Sequence, residues 1–253
     1  MPRPSQRAAR LPAKSGRCTL AVDIGGSGVK MLVLDERGDP LSDRERVPTP
    51  RPALPAAVIK LIRKMAEPLR GYARVSVGFP GVIRDGVVET AFNLDSAWLG
   101  FPLAAHLAKR LGKPVRVAND ADVQGFGCIS GKGVELVITL GTGLGSSLFV
   151  DGKLVPNLQM AHHPFRKGST YEDRLGHVAL KKLGKKRWNK ELGRAIKLLR
   201  ATFNCDRLYI GGGNARKIKF VLPKWAGIVP NVAGLWGGIA LWHEWKRVAR
   251  PAS

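Results

Sequence analysis

Cysteine is scarce in this chain, and the few cysteines present form no recognisable pattern. Cys18, Cys128 and Cys205 are far apart and include no C-x-x-C pair, so the sequence predicts neither a disulfide framework nor a cysteine zinc site. No uninterrupted apolar run reaches the length that a bilayer requires. We therefore expect no membrane partner and a location in the reducing cytoplasm.

Acidic residues are scarce as well. The 253 residues include 19 Asp and Glu against 42 Lys and Arg, a formal net charge of +23, and such a charge attracts polyanions. Nucleic acid, an anionic surface and inorganic polyphosphate fit it equally well, and a solvated basic surface without a partner is the alternative. Residues 1–17 contain five cations, three prolines and no acid, which predicts a flexible basic tail.

A glycine-rich turn lies near the start of the chain. Two apolar runs, residues 20–24 and 29–34, flank Gly25-Gly26-Ser27-Gly28, and this pattern predicts a β-hairpin. Glycine lets backbone N–H groups approach an anion closely, and Asp23 just before the turn can hold a hydrated Mg²⁺. Taken alone, the pattern is equally compatible with an ordinary turn.

Two more glycine-rich turns follow strands. Gly141-Thr142-Gly143-Leu144-Gly145 lies between apolar runs, and Gly211-Gly212-Gly213-Asn214 follows the strand predicted at residues 207–210. The turn at residues 25–28 is not a Walker A loop, because Lys30 stands on a strand. The turn at residues 141–145 is not a Rossmann fingerprint, because a strand rather than a helix follows it. The repeated design predicts duplicated lobes, each with a phosphate-binding turn.

Polar residues crowd the end of the strand predicted at residues 114–118. This strand runs into Asn119-Asp120-Ala121-Asp122. In open α/β folds ligands bind beyond the carboxyl ends of the strands, so a catalytic acid or base is expected here. Asp120 is the candidate, and its alternative role is to cap the helix predicted at residues 123–129. For Asp122 we expect a capping or supporting role.

Apolar periodicity predicts further helices at residues 56–65, 101–111, 185–203 and 231–245. The third of these carries a cationic stripe beside its apolar one, formed by Lys186, Lys190, Arg194 and Lys197. The stripe either binds a polyanion or is a solvated face.

Together these motifs resemble the ROK family of sugar kinases, which belongs to the actin-like ATPase superfamily. The likeness covers nearly the whole chain after Cys18. It implies an α/β protein with the two-lobed actin-like ATPase (ribonuclease H-like) fold, mixed sheets and a central cleft. It also implies lobes at residues 18–117 and 118–253, a C-terminal helix at about 232–249 packed back on the first lobe, and a homodimer.

The resemblance also implies a role for individual residues. Asp120 would be the catalytic base, and Asp23 would hold Mg²⁺ through water. The phosphates would be bound by Asp23, Gly25, Gly26, Ser27, Gly28, Lys30, Gly141, Thr142 and Gly143. The nucleotide side would be formed by Gly211, Gly212, Gly213 and Asn214. The sugar would be bound by Gly81, Asn93, Asn119, Asp120, Gln159, His162 and Glu172.

Within the family, the chain is most similar to the branch that uses inorganic polyphosphate to phosphorylate glucose. The residues that carry this likeness are 119–122, 139–147 and 151–157. ROK kinases usually contain a C-x-C-G-x-x-G-C zinc run, which this sequence lacks, so we expect no structural zinc. Gln159 stands where the family has a glutamate, which replaces a charged acceptor by an amide.

The expected function is phosphoryl transfer to the 6-hydroxyl of a hexose, most simply glucose, from polyphosphate and/or ATP with Mg²⁺. One alternative is an ATP-only hexose or N-acetylhexosamine kinase. Another is a non-catalytic regulator that binds a polyanion or a sugar. Repressors of the family carry an N-terminal helix-turn-helix, which the proline-rich residues 1–17 cannot form. We therefore expect no sequence-specific nucleic-acid partner.

Overall fold

The structure, a computed structural model, describes residues 17–92, 94–230, 235 and 237–242. The strands are β1 (Thr19–Ile24), β2 (Val29–Leu34), β3 (Glu45–Val47), β4 (Arg74–Phe79), β5 (Ile83–Arg84), β6 (Val87–Val88), β7 (Val115–Asn119), β8 (Val134–Leu140), β9 (Leu144–Val150), β10 (Lys153–Val155), β11 (Pro164–Arg166), β12 (Ser169–Thr170), β13 (Arg207–Gly211) and β14 (Ala226–Ile228). The α-helices are α1 (Pro55–Ala66), α2 (Leu103–Leu111), α3 (Asp120–Phe126), α4 (Tyr171–Leu175) and α5 (His177–Phe203). The 3₁₀ helices are η1 (Ser96–Trp98), η2 (Met160–His162), η3 (Ala215–Lys217) and η4 (Gly237–Trp242).

Two five-stranded mixed sheets with the same topology form the framework. Their strand orders are β3-β2-β1-β4-β7 and β10-β9-β8-β13-β14. In each sheet an antiparallel hairpin supplies the central strand, and two further strands join parallel to it. The hairpin turn therefore lies at the same sheet edge as the carboxyl ends of the parallel strands, where ligands bind in α/β folds.

The first sheet is covered on both faces. Helix α1 buries Val58, Ile59 and Ile62 in the core formed with β1, β2 and β4. On the other face, Ser76 Oγ donates a hydrogen bond to the carbonyl oxygen of Gly238 at 2.6 Å, so η4 packs against β4. Most of the helix expected at about 232–249 lies outside the described residues, as do Asn93 and residues 1–16 of the predicted tail.

The second sheet packs against the long helix α5. Trp188, Leu192 and Leu199 on one side of this helix are almost completely buried in the second core. The helix is broken at Gly184, whose φ of 71° and ψ of 159° are not helical, and glycine is the residue that adopts such a positive φ without strain. None of the helices within the described ranges is both long and apolar enough to span a membrane.

Helix α3 begins earlier than its apolar pattern predicts. It starts at Asp120 rather than Val123, because the Asn119 side chain accepts hydrogen bonds from the backbone N–H groups of Ala121 and Asp122 at 2.9 and 3.3 Å. Asn119 is therefore the N-cap, and Asp120 is the first helical residue. The proposed lobe boundary after residue 117 falls inside β7.

Candidate active site

A cleft of about 680 Å³ lies between the two sheets. Its walls contain most of the residues selected from the sequence: Asp23, Gly25, Gly26, Ser27, Gly28, Lys30, Gly81, Asn119, Asp120, Gly141, Thr142, Gly143, Gln159, His162, Glu172, Gly212, Gly213 and Asn214. Gly211 is buried at the end of β13 and does not line the cleft. Asn93 lies outside the described residues.

Two carboxylates, Asp23 and Asp120, stand at the carboxyl ends of β1 and β7, the strands on either side of β4. Gly78 on β4 is the register partner of Asp23 on β1. A Cβ built on Gly78 would lie 3.8 Å from Asp23 Oδ1 and 3.4 Å from the Asp120 Cα atom. A side chain at residue 78 would therefore lie in van der Waals contact with both residues.

The electrostatics of this pair favour a base that works near neutral pH. Burial, followed by the charge of Asp23, raises the pKa of Asp120 from 3.8 to about 7. The Ala121 N–H and the Lys30 ammonium act in the opposite direction. Lys30 Nζ also donates to Asp23 Oδ2 at 2.6 Å. A carboxyl with this pKa can accept a proton from a substrate and release it again at physiological pH.

The second and third glycine-rich turns brace each other. Asn214 Nδ2 donates to the carbonyl oxygen of Gly141 at 3.0 Å, and its backbone N–H donates to the carbonyl oxygen of Leu140 at 2.9 Å. Gly212 has φ +86°, and a Cβ there would lie 2.4 Å from the Leu140 oxygen. The two turns can therefore come together only because residue 212 is glycine.

Polar groups from both lobes line the other end of the cleft. Asn119 Nδ2 donates to the carbonyl oxygen of Gly81 at 3.1 Å, and Glu172 Oε2 accepts from the Leu144 N–H at 2.9 Å. Within the described part of the chain, the Gln159 side chain makes no hydrogen bond to protein and so is available to a ligand. Amide and carboxylate groups of this kind bind sugar hydroxyls.

Residues that line the cleft but were not selected from the sequence include Arg46, Phe92, Gln124 and His177. The Phe92 ring lies 4.1 Å, centroid to centroid, from the His162 ring of the opposite lobe. Phe92 and His162 are 70 positions apart, and neither belongs to a periodic pattern. Only the tertiary fold brings them together.

The cleft contains oxygen ligands suited to Mg²⁺, but not a complete metal cage. Among the described residues, no group of three or more His, Cys, Asp and Glu side chains could hold a metal ion. Mg²⁺ keeps several waters and is commonly bound through one or two carboxylates together with substrate phosphates. Asp23, a carboxylate that lines the cleft, fits this mode.

The repeated sheets and the cleft between their glycine-rich turns define a two-lobed sugar kinase of the actin-like fold. The sequence model of the ROK family matches residues 19–162, and the chain belongs to this family. Both the family and the fold predicted from the motifs are confirmed.

Individual relatives indicate which branch of the ROK family the chain resembles. The chain is 31% identical to a polyphosphate glucokinase of Mycobacterium tuberculosis over 229 residues, which cover 87% of this chain and 84% of the relative. It is 37% identical to the inorganic polyphosphate/ATP-glucomannokinase of Arthrobacter sp. strain KM, whose crystal structure matches with a TM-score of 0.81 over 89% of this chain and 99% of that chain. The expected likeness to the polyphosphate-using branch is confirmed.

A more distant match supports the fold alone. The ROK glucokinase of Streptomyces griseus, solved with glucose and AMPPNP, is 20% identical and has a TM-score of 0.75 over 88% of this chain and 98% of that chain.

Proposed function

We propose that this chain is a hexose kinase that transfers a phosphoryl group to the 6-hydroxyl of glucose from inorganic polyphosphate or ATP. One observation carries the proposal: the Asp120 carboxyl, with its pKa near 7, lies in one cleft with all three glycine-rich turns and with the polar groups selected for the sugar. The names of the polyphosphate glucokinase and glucomannokinase relatives support the same donor and acceptor.

In this mechanism Asp120 accepts the proton of the sugar hydroxyl as that oxygen attacks the terminal phosphorus. A new O–P bond forms, and the bond to the rest of the donor breaks. The donor leaves as ADP or as a polyphosphate chain shortened by one unit. Because phosphoryl transfer needs little covalent work from the protein, the glycine-rich turns act mainly by positioning the donor. Gly81, Asn119, Gln159, His162 and Glu172 would orient the sugar, with Asn93 added from the resemblance.

Mg²⁺ would neutralise charge on the donor phosphates when it is bound. Asp23 is the residue that would hold it, through water, while Lys30 fixes the orientation of that carboxylate. We further propose that the protein works in the cytoplasm as a homodimer, with lobes at residues 18–117 and 118–253.

The basic surface supports polyphosphate as one donor. Arg216 lines the cleft beside the third glycine-rich turn. Helix α5, which carries the cationic stripe, packs against the sheet of the same lobe. Among the described residues, only Arg194 of that stripe forms an ion pair, with Glu191. Unpaired cations favour a long polyanion, and binding through them would weaken steeply as salt rises.

A matrix of coupled assays tests the proposal. Glucose, mannose and an N-acetylated hexosamine would each be offered with ATP and with polyphosphate, at low and high salt. We expect turnover of glucose with both donors and a salt-sensitive KM for polyphosphate. Turnover with ATP but not with polyphosphate would mean that the protein is a nucleotide-dependent kinase. Absence of turnover with every pair, despite measurable sugar binding, would favour the non-catalytic regulator.

A further inference from the structure

The first glycine-rich turn is hydrogen-bonded by three side chains from β3 and from the segment that follows it. Thr49 Oγ1 donates to the carbonyl oxygen of Gly25 at 2.5 Å. Arg51 Nη2 donates to that of Gly26 at 2.8 Å, and Arg46 Nη2 to that of Ser27 at 3.3 Å. Three consecutive carbonyl groups of the turn are therefore occupied, two of them by guanidinium groups.

Strand register places Arg46 in line with residues of the cleft. Asp23 on β1 pairs with Lys30 on β2, and Lys30 pairs with Arg46 on β3. Directly opposed residues share one face of a sheet, so the three side chains form a row. The row contains two cations and one carboxylate, and Lys30 already donates to that carboxylate.

The close approach of Arg46 depends on Gly28. A Cβ at residue 28 would lie 2.9 Å from Nε and from Nη2 of Arg46, which is closer than Cβ atoms come to other heavy atoms. The guanidinium thus packs on the turn itself and lines the cleft. Like charges directly opposed across strands cost stability, and an anion bound between Lys30 and Arg46 would offset that cost.

Arg46 and Arg51 keep unused binding capacity. Both are exposed, and neither forms an ion pair in the part of the chain that the structure describes. Each guanidinium has five N–H donors in a planar fork that matches phosphate oxygens. One donor of each is used on a turn carbonyl, which leaves the others for a ligand.

We propose that Arg46 and Arg51 bind the phosphoanhydride chain of the donor beyond the phosphoryl group that is transferred. This inference rests on the proposed function and deepens its donor side. The two arginines would extend the anion site from the backbone N–H groups of the turn to charged side chains of the first lobe. A chain of phosphates in the cleft would then contact Arg46 of the first lobe as well as Arg216 of the second.

The competing explanation is that the two arginines only brace the turn. Loss of a brace would disturb the turn for every ligand and lower the melting temperature. Loss of a binding group would instead raise the donor KM by much more than it changes the hexose KM or the melting temperature. These two patterns can be separated in one set of variants.

The test compares Arg46→Gln, at a residue that lines the cleft, and Arg51→Gln, at a residue that contacts the turn from outside the cleft lining, with Arg44→Gln. Arg44 is an exposed neighbour with the same charge, and among the described residues it neither lines the cleft nor donates to the turn. We expect the polyphosphate KM of the first two variants to rise ten- to a hundredfold, as for the loss of a hydrogen bond to a charged group. Arg44→Gln should change it less than twofold. Arg46→Lys, which keeps the charge but not the fork, should recover part of the loss.

Parallel assays with ATP identify the source of the bound phosphates. A rise in KM for both donors shows contact with phosphates that ATP also has, and a rise for polyphosphate alone shows contact further along the polymer. Donor KM values equal to those of Arg44→Gln would overturn the inference, and so would a loss confined to kcat, hexose KM or melting temperature.

Direct binding keeps this inference separate from the proposed function. Polyphosphate binding would be measured by isothermal titration calorimetry without hexose. If the unaltered protein shows no turnover with any donor, the proposed function fails. The inference is then judged by whether Arg46→Gln weakens polyphosphate binding more than Arg44→Gln does.

Discussion

Substitution of Asp122 by asparagine should change how the stability of this protein depends on pH. Asp122 lies in the first turn of α3, and its side chain is buried with 2% exposure. The backbone N–H of Asn157 donates to its carboxyl group, while Oδ1 has no partner among the described residues. Burial first, and the charge of Asp120 second, raise the pKa of Asp122 from 3.8 to about 8.

The size and sign of the effect follow from proton linkage. Because the pKa of Asp122 is raised on folding, the folded state binds the proton more tightly than the unfolded state. Its contribution to stability is complete below pH 3.8 and is lost as pH rises to about 8. By pH 7 the loss is on the order of 4 kcal/mol, at about 1.4 kcal/mol per pH unit. Asparagine, which does not titrate, removes this dependence.

Urea unfolding followed by tryptophan fluorescence at pH 5.5, 6.5 and 7.5 measures the effect. The free energy of unfolding of Asp122→Asn minus that of the unaltered protein should rise by about 1.4 kcal/mol per pH unit. Asp43→Asn, at an exposed position, is the control and should show no such slope. A difference for Asp122→Asn that stays constant across the three pH values would refute the reasoning, because it would mean that Asp122 titrates alike in both states.

Two further predictions concern the cleft. Since the pKa of Asp120 is raised to about 7, kcat/KM should fall about tenfold per pH unit below pH 7. A pH profile of kcat/KM that is flat down to pH 5 would argue against a base at this position. Gly81→Ala would put a Cβ 1.9 Å from the carbonyl oxygen of Thr90 and displace the Gly81 carbonyl group that accepts from Asn119. Calorimetry should therefore show at least tenfold weaker glucose binding. The control Gly227→Ala, where a Cβ would meet open space, should bind glucose normally.

The glycine-rich turns were predictable because their signal is local. Apolar runs on either side of residues 25–28 and 141–145 define hairpins, and the two hairpins occupy equivalent places in the two sheets. The order of motifs along the chain then sufficed to predict the family and the fold. Asp120 was selected as a candidate for the same reason, since it directly follows a strand.

Other features depend on contacts that no local pattern encodes. Arg46 stands on a strand of only three residues, too short to show periodicity, and its row with Lys30 exists only once the register is known. The start of α3 was misplaced because the Asn119 cap sets it rather than apolar spacing. The hydrogen bond that the Asp122 carboxyl group accepts comes from the backbone of Asn157, 35 positions further along the chain.

The most direct test of the account is the turnover of Asp120→Asn. Asparagine keeps the shape of the side chain but cannot accept the proton, so a coupled assay of glucose phosphorylation with polyphosphate or ATP should show kcat lower by about 10²- to 10⁴-fold. Calorimetry should find glucose binding within a few-fold of that of the unaltered protein. Turnover close to that of the unaltered protein would contradict the role given to Asp120 and with it the proposed chemistry of the cleft.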